Sequence, residues 1–190
     1  MIRKFRFVFF LPLLLVSLQV APLTDAVAGK ASKAEKSAKI DAKAGKTLNR
    51  LFEKSPKAKT LYDKAYGYAV FGNWKFSLVV TGGGGRGVAV EKTSGARTYM
   101  NMGTGGLNLG LGGQKYQVVF LFEDAQTFDM FVDQGWEAEA SANAVAGDKG
   151  ANAGTAFRNG MAVYQLTAGG LMLQADISGT KYWKSKLNDG

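Results

Sequence analysis

Lys115-Tyr116-Gln117-Val118-Val119-Phe120-Leu121-Phe122 is the stretch on which the fold turns. From Tyr116 to Phe122 it is apolar on both faces, and a short run of that kind reads as a central strand covered on two sides. Just upstream, Leu107-Asn108-Leu109-Gly110-Leu111-Gly112 alternates strictly, with three leucines on one face and small residues on the other. The same texture of short apolar runs punctuated by glycine recurs at Tyr68–Phe71, Trp74–Thr81, Gly87–Glu91, Arg97–Asn101, Met161–Thr167 and Leu171–Ile177, and all of these are expected as strands.

One helix interrupts the series. Asp124 can cap it, Ala125, Phe128, Phe131 and Val132 form its inward stripe, and Gly135 suits a left-handed C-terminal position. A short helix precedes the strands, with Ser55 as N-cap and Pro56 at its first position, and Gly67 is expected to end it. Ala138–Ala156, rich in Ala, Gly and Asn, favours no single state. The expected fold is α+β, mainly antiparallel β: a compact sheet or sandwich with N-terminal helices and one internal helix, the helices gathered on one side.

The N-terminus reads as an export signal. Arg3, Lys4 and Arg6 precede an apolar run from Phe7 to Val20, and Ala26-Val27-Ala28 places small residues where a signal peptidase needs them. Residues 1–28 are expected to be a signal peptide, 29–54 a basic arm, and 55–190 one domain. The expected location is periplasmic or extracellular, peripheral to a membrane. Without cysteine, neither a disulfide nor a lipid-modified Cys can hold or tether the protein.

The charge is unevenly placed. Gly29–Thr60 carries ten Lys and Arg against three Asp and Glu, whereas Leu61–Gly190 carries eleven of each. At 100° per residue, Lys36, Lys39, Lys43, Lys46, Arg50 and Lys54 fall in a stripe about 80° wide. Ile40, Ala44, Leu48, Leu51 and Phe52 fall on a face centred about 130° away. Such a basic amphipathic helix suits an anionic membrane surface or a partner groove, and equally a docked helix with a solvated lysine face. In an exported chain a lipid headgroup surface is the expected anionic partner and nucleic acid is not.

Chemistry is limited by what is missing. With no histidine and no cysteine there is no Ser-His-Asp triad, no thiol nucleophile, no ordinary zinc site and no imidazole base. Glu123, Asp124, Asp129 and Asp133 cluster in sequence, but Asp129 and Asp133 stand one helical turn apart, the spacing of a solvated helix face. No enzymatic activity, metal or cofactor is expected. Gly82-Gly83-Gly84-Gly85-Arg86-Gly87 contains G-x-G-x-x-G, yet Val88-Ala89-Val90-Glu91 after it alternates like a strand where a dinucleotide site needs a helix. The glycines are expected to form a hairpin turn. Lys181-Tyr182-Trp183-Lys184 reads as a last strand closing the sheet, with an interfacial aromatic cluster as the alternative.

Taken together, the blocks Ser55–Lys59, Ala65–Phe71, Gly82–Val90, Arg97–Met100, Gly105–Gly112, Val118–Glu123, Phe131 to Gly135-Trp136, Gly160–Leu166, Gly170-Leu171 and Gly179–Lys184 resemble the SYLF domain family. The resemblance runs from about Ser55 to Asn188. It implies a lipid-binding module, one that in eukaryotic members binds phosphoinositides through a basic amphipathic N-terminal helix and in yeast members is linked to actin. Lys36–Lys54 stands in the place of that helix, and for an exported chain generic anionic phospholipid is the expected ligand and actin is not. The expected contacts are Lys36, Lys39, Lys43, Lys46, Arg50 and Lys54 for charge, with Leu48 and Phe52 for apolar area. The alternative is an envelope scaffolding module whose arm meets an acidic protein. Because the arm is read as mostly charge, a chain starting near Ser55 is expected to stay folded.

Overall fold

The computed structural model describes residues 24–77, 80–107, 112–137, 156–172 and 179–189. Two helices come first, α1 (Thr24–Lys54) and α2 (Pro56–Lys64). Four long strands follow, β1 (Gly67–Ser77), β2 (Val80–Glu91), β3 (Arg97–Leu107) and β4 (Gly112–Phe122). The chain continues with α3 (Ala125–Asp133), β5 (Trp136–Glu137), β6 (Met161–Thr167), β7 (Gly170–Met172) and β8 (Thr180–Lys184).

All the strands join one curled antiparallel sheet in the order β5-β8-β3-β2-β1-β4-β6-β7. The fold is α+β and mainly antiparallel β, as expected. β1 pairs along its whole length with both β2 and β4, and β4 pairs with β6, so the Tyr116–Phe122 strand is indeed interior.

Period-two alternation gives the sheet two apolar faces. One carries Val70, Val88, Val90, Val119, Leu121, Tyr164 and Leu166, and Ala44, Leu48 and Leu51 of α1 pack on it with Ala58 and Leu61 of α2. The other carries Phe71, Met100, Val118, Phe120, Phe122 and Tyr182, covered by Phe128, Phe131 and Val132 of α3. Rings there meet at centroid distances of 4.7 Å for Phe71 and Tyr182 and 4.9 Å for Phe122 and Phe131. Helices therefore lie on both faces, and the one-sided arrangement expected from the sequence is corrected. Both faces of the central strands are apolar, and each needs its own cover.

Local caps follow the sequence. The Ser55 hydroxyl accepts from the Ala58 amide with Pro56 at the first helical position, and Asp124 accepts from the Thr127 amide. Gly135 has φ +76°. Gly67 is a correction: α2 ends at the Ala65 cap and Gly67 opens β1, where a Cβ would lie 2.7 Å from the Phe128 ring.

Gly82–Gly87 is also corrected. It forms the first half of β2 and no hairpin turn. A Cβ at Gly85 would stand 2.0 Å from the Gly72 carbonyl oxygen, and one at Gly87 2.3 Å from that of Val70. At these two positions glycine lets β1 and β2 approach closely. The expected strand Trp74–Thr81 is divided between β1 and β2, and it contains no Gly, Pro or Asn. β8 stands second from the edge, between β5 and β3. The expected continuations of strand at 108–111 and 173–177, nearly all of Ala138–Ala156, and the export signal up to residue 23 lie outside the described residues.

Candidate functional site

α1 crosses the strands rather than following them. Near its middle Asp41 accepts a hydrogen bond from the Tyr99 hydroxyl of β3 at 3.0 Å and lies 3.6 Å from Arg97 Nε. About two and a half turns on, Arg50 donates to Gln117 Oε1 of β4 at 3.2 Å and to the Thr167 carbonyl at the end of β6. Toward its N-terminus, Lys33 Nζ reaches the Asp189 carbonyl oxygen at 2.7 Å. The apolar side of the helix is thus pressed on the sheet, and its orientation is fixed by polar bonds at both ends of the crossing.

Because α1 and α2 cover the beginning of β1 and the end of β2, the rest of that sheet face stays open beside α1. The lysine side of the helix borders this open area. A groove of about 700 Å³ results. Lys36, Lys39, Lys43, Lys46 and Arg50 form its helical wall, and Arg86 of β2 and Lys115 of β4 project from the sheet side. Between them lies a floor that includes Gly72 and Gly84, with Val70, Asn73, Tyr116 and Gln117 completing it.

Sheet register explains the floor. Gly72 follows Val70 by two residues on the same face and pairs with both Arg86 and Gln117, while Trp74, two further on, pairs with Gly84 and Lys115. A Cβ on Gly72 would meet nothing within 4 Å, and one on Gly84 only the Met102 carbonyl oxygen at 3.5 Å. Packing does not require glycine at either position. Their effect is a floor that carries no side chain at these two positions.

Among the described residues, seven cationic side chains and no acid line this groove. Lys39 is bonded to Glu35 at 2.5 Å, and this ammonium holds the Glu35 carboxyl below its usual range. Lys36, Lys43, Lys46, Arg86 and Lys115 make no ion pair with any described residue. Apart from half-buried Arg50 the lysines of the wall are exposed, so they can meet an anion without first being stripped of water.

The residues singled out from sequence divide in two. Lys36, Lys39, Lys43, Lys46 and Arg50 come together in the groove, while Lys54 lies outside it. Leu48 is 6% exposed in the core, and Phe52 packs against Tyr62 at 5.0 Å. Their expected role as free apolar contact area is corrected: the sheet and α2 already cover that side of the helix. Arg86, Lys115 and the two glycines were missed. The available signal was the alternation Arg86, Val88, Val90, which puts Arg86 on the valine face once Gly82–Gly87 is read as strand.

On the opposite face a polar cluster sits beyond the aromatic core. Asn73 donates to Tyr116 Oη at 2.5 Å and to Thr104 Oγ1 at 3.3 Å, and Thr104 meets Thr180 at 3.1 Å. It fixes the register of four strands, and its members Asn73 and Tyr116 also border the groove. At the sheet margin Tyr182 is buried whereas its neighbour Trp183 is 46% exposed between Lys181 and Lys184. No helix among the described residues is long and apolar enough to cross a membrane.

No family model matches the chain. Over 147 residues it is 50% identical to Beta cell expansion factor A of Aeromonas veronii, an alignment that takes in 77% of this chain and 56% of that protein. The chain therefore spans little more than half the length of this relative.

Proposed function

We propose that this chain is an exported, non-enzymatic protein of the SYLF type that binds anionic phospholipid peripherally, with the groove beside α1 as the contact. The observation that carries the reading is the groove's lining, among the described residues, of seven cations and no acid. Positive charge of that density repels itself, and an anion held there relieves the repulsion as well as gaining attraction. Lysine and arginine near an anionic membrane each contribute about 1 kcal/mol, so even four of the seven amount to roughly three decades of affinity.

The name of the A. veronii relative speaks of beta cell expansion and of no ligand, and the proposal rests on the groove. Sedimentation with vesicles of phosphatidylglycerol and phosphatidylcholine in equal parts, against pure phosphatidylcholine, tests it. Binding to the anionic vesicles alone, weakening as salt shortens the Debye length from about 10 Å at 0.1 M to about 3 Å at 1 M, is expected. Equal binding to both, or to neither, contradicts it. An acidic protein or a soluble polyanion is then left as the groove's occupant.

A further inference from the structure

The arrangement of the cations says more than their number. We infer that the groove takes an extended anion bearing several phosphate groups in line, and not a single compact phosphate. The inference deepens the lipid-binding reading by specifying the ligand's valency, and it holds equally for a lipid headgroup and for a soluble polyphosphate.

Two rows of charge face each other across a floor that has glycine at positions 72 and 84. On the helical wall, Lys36 and Lys46 are ten residues apart, about 15 Å along the axis. On the sheet side, Arg86 and Lys115 sit on strands separated by β1, about 10 Å apart across two strand spacings. Since α1 crosses from β3 at Asp41 to β4 and β6 at Arg50, the helical row and the sheet row run alongside one another. A lone phosphate can lie within hydrogen-bond reach, about 3 Å, of only two or three of these groups, and would leave the rest unneutralised. A chain of phosphates laid over Gly72 and Gly84 meets both rows along their length. Gly72 is what permits it: a Cβ there would point into open space, so a side chain would occupy the ligand's path and not the protein's core.

Isothermal titration of the full chain at constant ionic strength, with inorganic phosphate, pyrophosphate, tripolyphosphate and linear tetraphosphate as probes, tests the inference. Affinity is expected to rise about tenfold for each added phosphate, about 1.4 kcal/mol per step, with one ligand bound per chain. Gly72→Leu, which adds bulk without charge, should lower tetraphosphate affinity at least tenfold, its unchanged thermal melt showing that the fold is intact. Replacing the exposed Lys57 and Lys64, which lie outside the groove, by Gln removes two charges elsewhere and should also leave affinity within about twofold.

The inference is overturned if affinity does not depend on phosphate number, or if the Lys57 and Lys64 variant loses as much as an Arg86→Gln, Lys115→Gln variant. Its failure is distinguishable from that of the membrane reading. Anionic vesicles that bind while tetraphosphate does not would overturn the inference and keep the membrane contact. Tetraphosphate that binds with the expected steps while vesicles do not would support it and assign the groove to a soluble polyanion.

Discussion

Replacing Leu51 by alanine removes a side chain that is 0% exposed where α1 lies on the sheet with Val70, Val119, Tyr164 and Leu166. The lost hydrocarbon is about three methylene equivalents at about 0.8 kcal/mol each, or about 2.4 kcal/mol of transfer energy. A cavity left under a helix braced by the Asp41 and Arg50 bonds adds to it, and the total should be about 3–4 kcal/mol. At about 2–4 °C per kcal/mol for a chain of this size, the melting temperature should fall by about 6–16 °C. Urea unfolding followed by circular dichroism gives the free energy directly, and Lys43→Gln on the exposed side of the same helix is the control, expected within about 0.5 kcal/mol of the parent. Deletion of everything before Ser55 should be worse still, since it strips Ala44, Leu48 and Leu51 from the core together. A loss below about 1 kcal/mol for Leu51→Ala, with a cooperative melt surviving the deletion, would refute the docking of α1 and with it the groove.

Within the glycine cluster, Gly85→Ala should cost about 3 kcal/mol in urea titration because its Cβ would collide with the Gly72 carbonyl, whereas Gly72→Ala should change stability by less than about 0.5 kcal/mol. Lys92→Met should destabilise by about 1–2 kcal/mol in the same assay: its ammonium donates to the carbonyls of Tyr62, Asp63 and Ala65 at the end of α2 and lies 4.7 Å from the Tyr62 ring centroid. Burial pushes the Tyr164 phenol up to about 12 and Tyr182 well above the usual 10. Both are held neutral in the fold, so the Tyr164 contribution is fully present below about pH 10 and is lost as pH rises through about 12, and that of Tyr182 has the same sign; phenolate absorbance should show the Tyr164 step together with loss of structure.

Sequence carried the elements further than their arrangement. Tyr116–Phe122, the Ser55 and Asp124 caps, the α3 stripe and Gly135 were legible because each depends on a local pattern or a single backbone requirement. Gly82–Gly87 was not, since its glycines answer to the close approach of β1, a contact between strands that no window of sequence contains. The division of Trp74–Thr81 between β1 and β2 was not legible either, since that stretch contains no Gly, Pro or Asn. For the site, helical periodicity correctly gathered Lys36, Lys39, Lys43, Lys46 and Arg50, but a wheel shows only one wall. Whether its apolar side faces lipid or the chain's own sheet is a tertiary choice, and Leu48 at 6% exposure shows which was taken. Arg86 and Lys115, 29 residues apart in sequence and on strands either side of β1, become neighbours of the stripe only through the sheet order.

The most direct test is therefore made on the wall that the helix does not supply. Arg86→Gln with Lys115→Gln leaves every residue of α1 in place and removes two of the seven charges from the groove. Sedimentation with vesicles of phosphatidylglycerol and phosphatidylcholine in equal parts should show binding weakened by about 30-fold, the equivalent of about 2 kcal/mol at about 1 kcal/mol per cation. Binding equal to that of the parent would mean that the groove is not where this protein meets an anionic membrane.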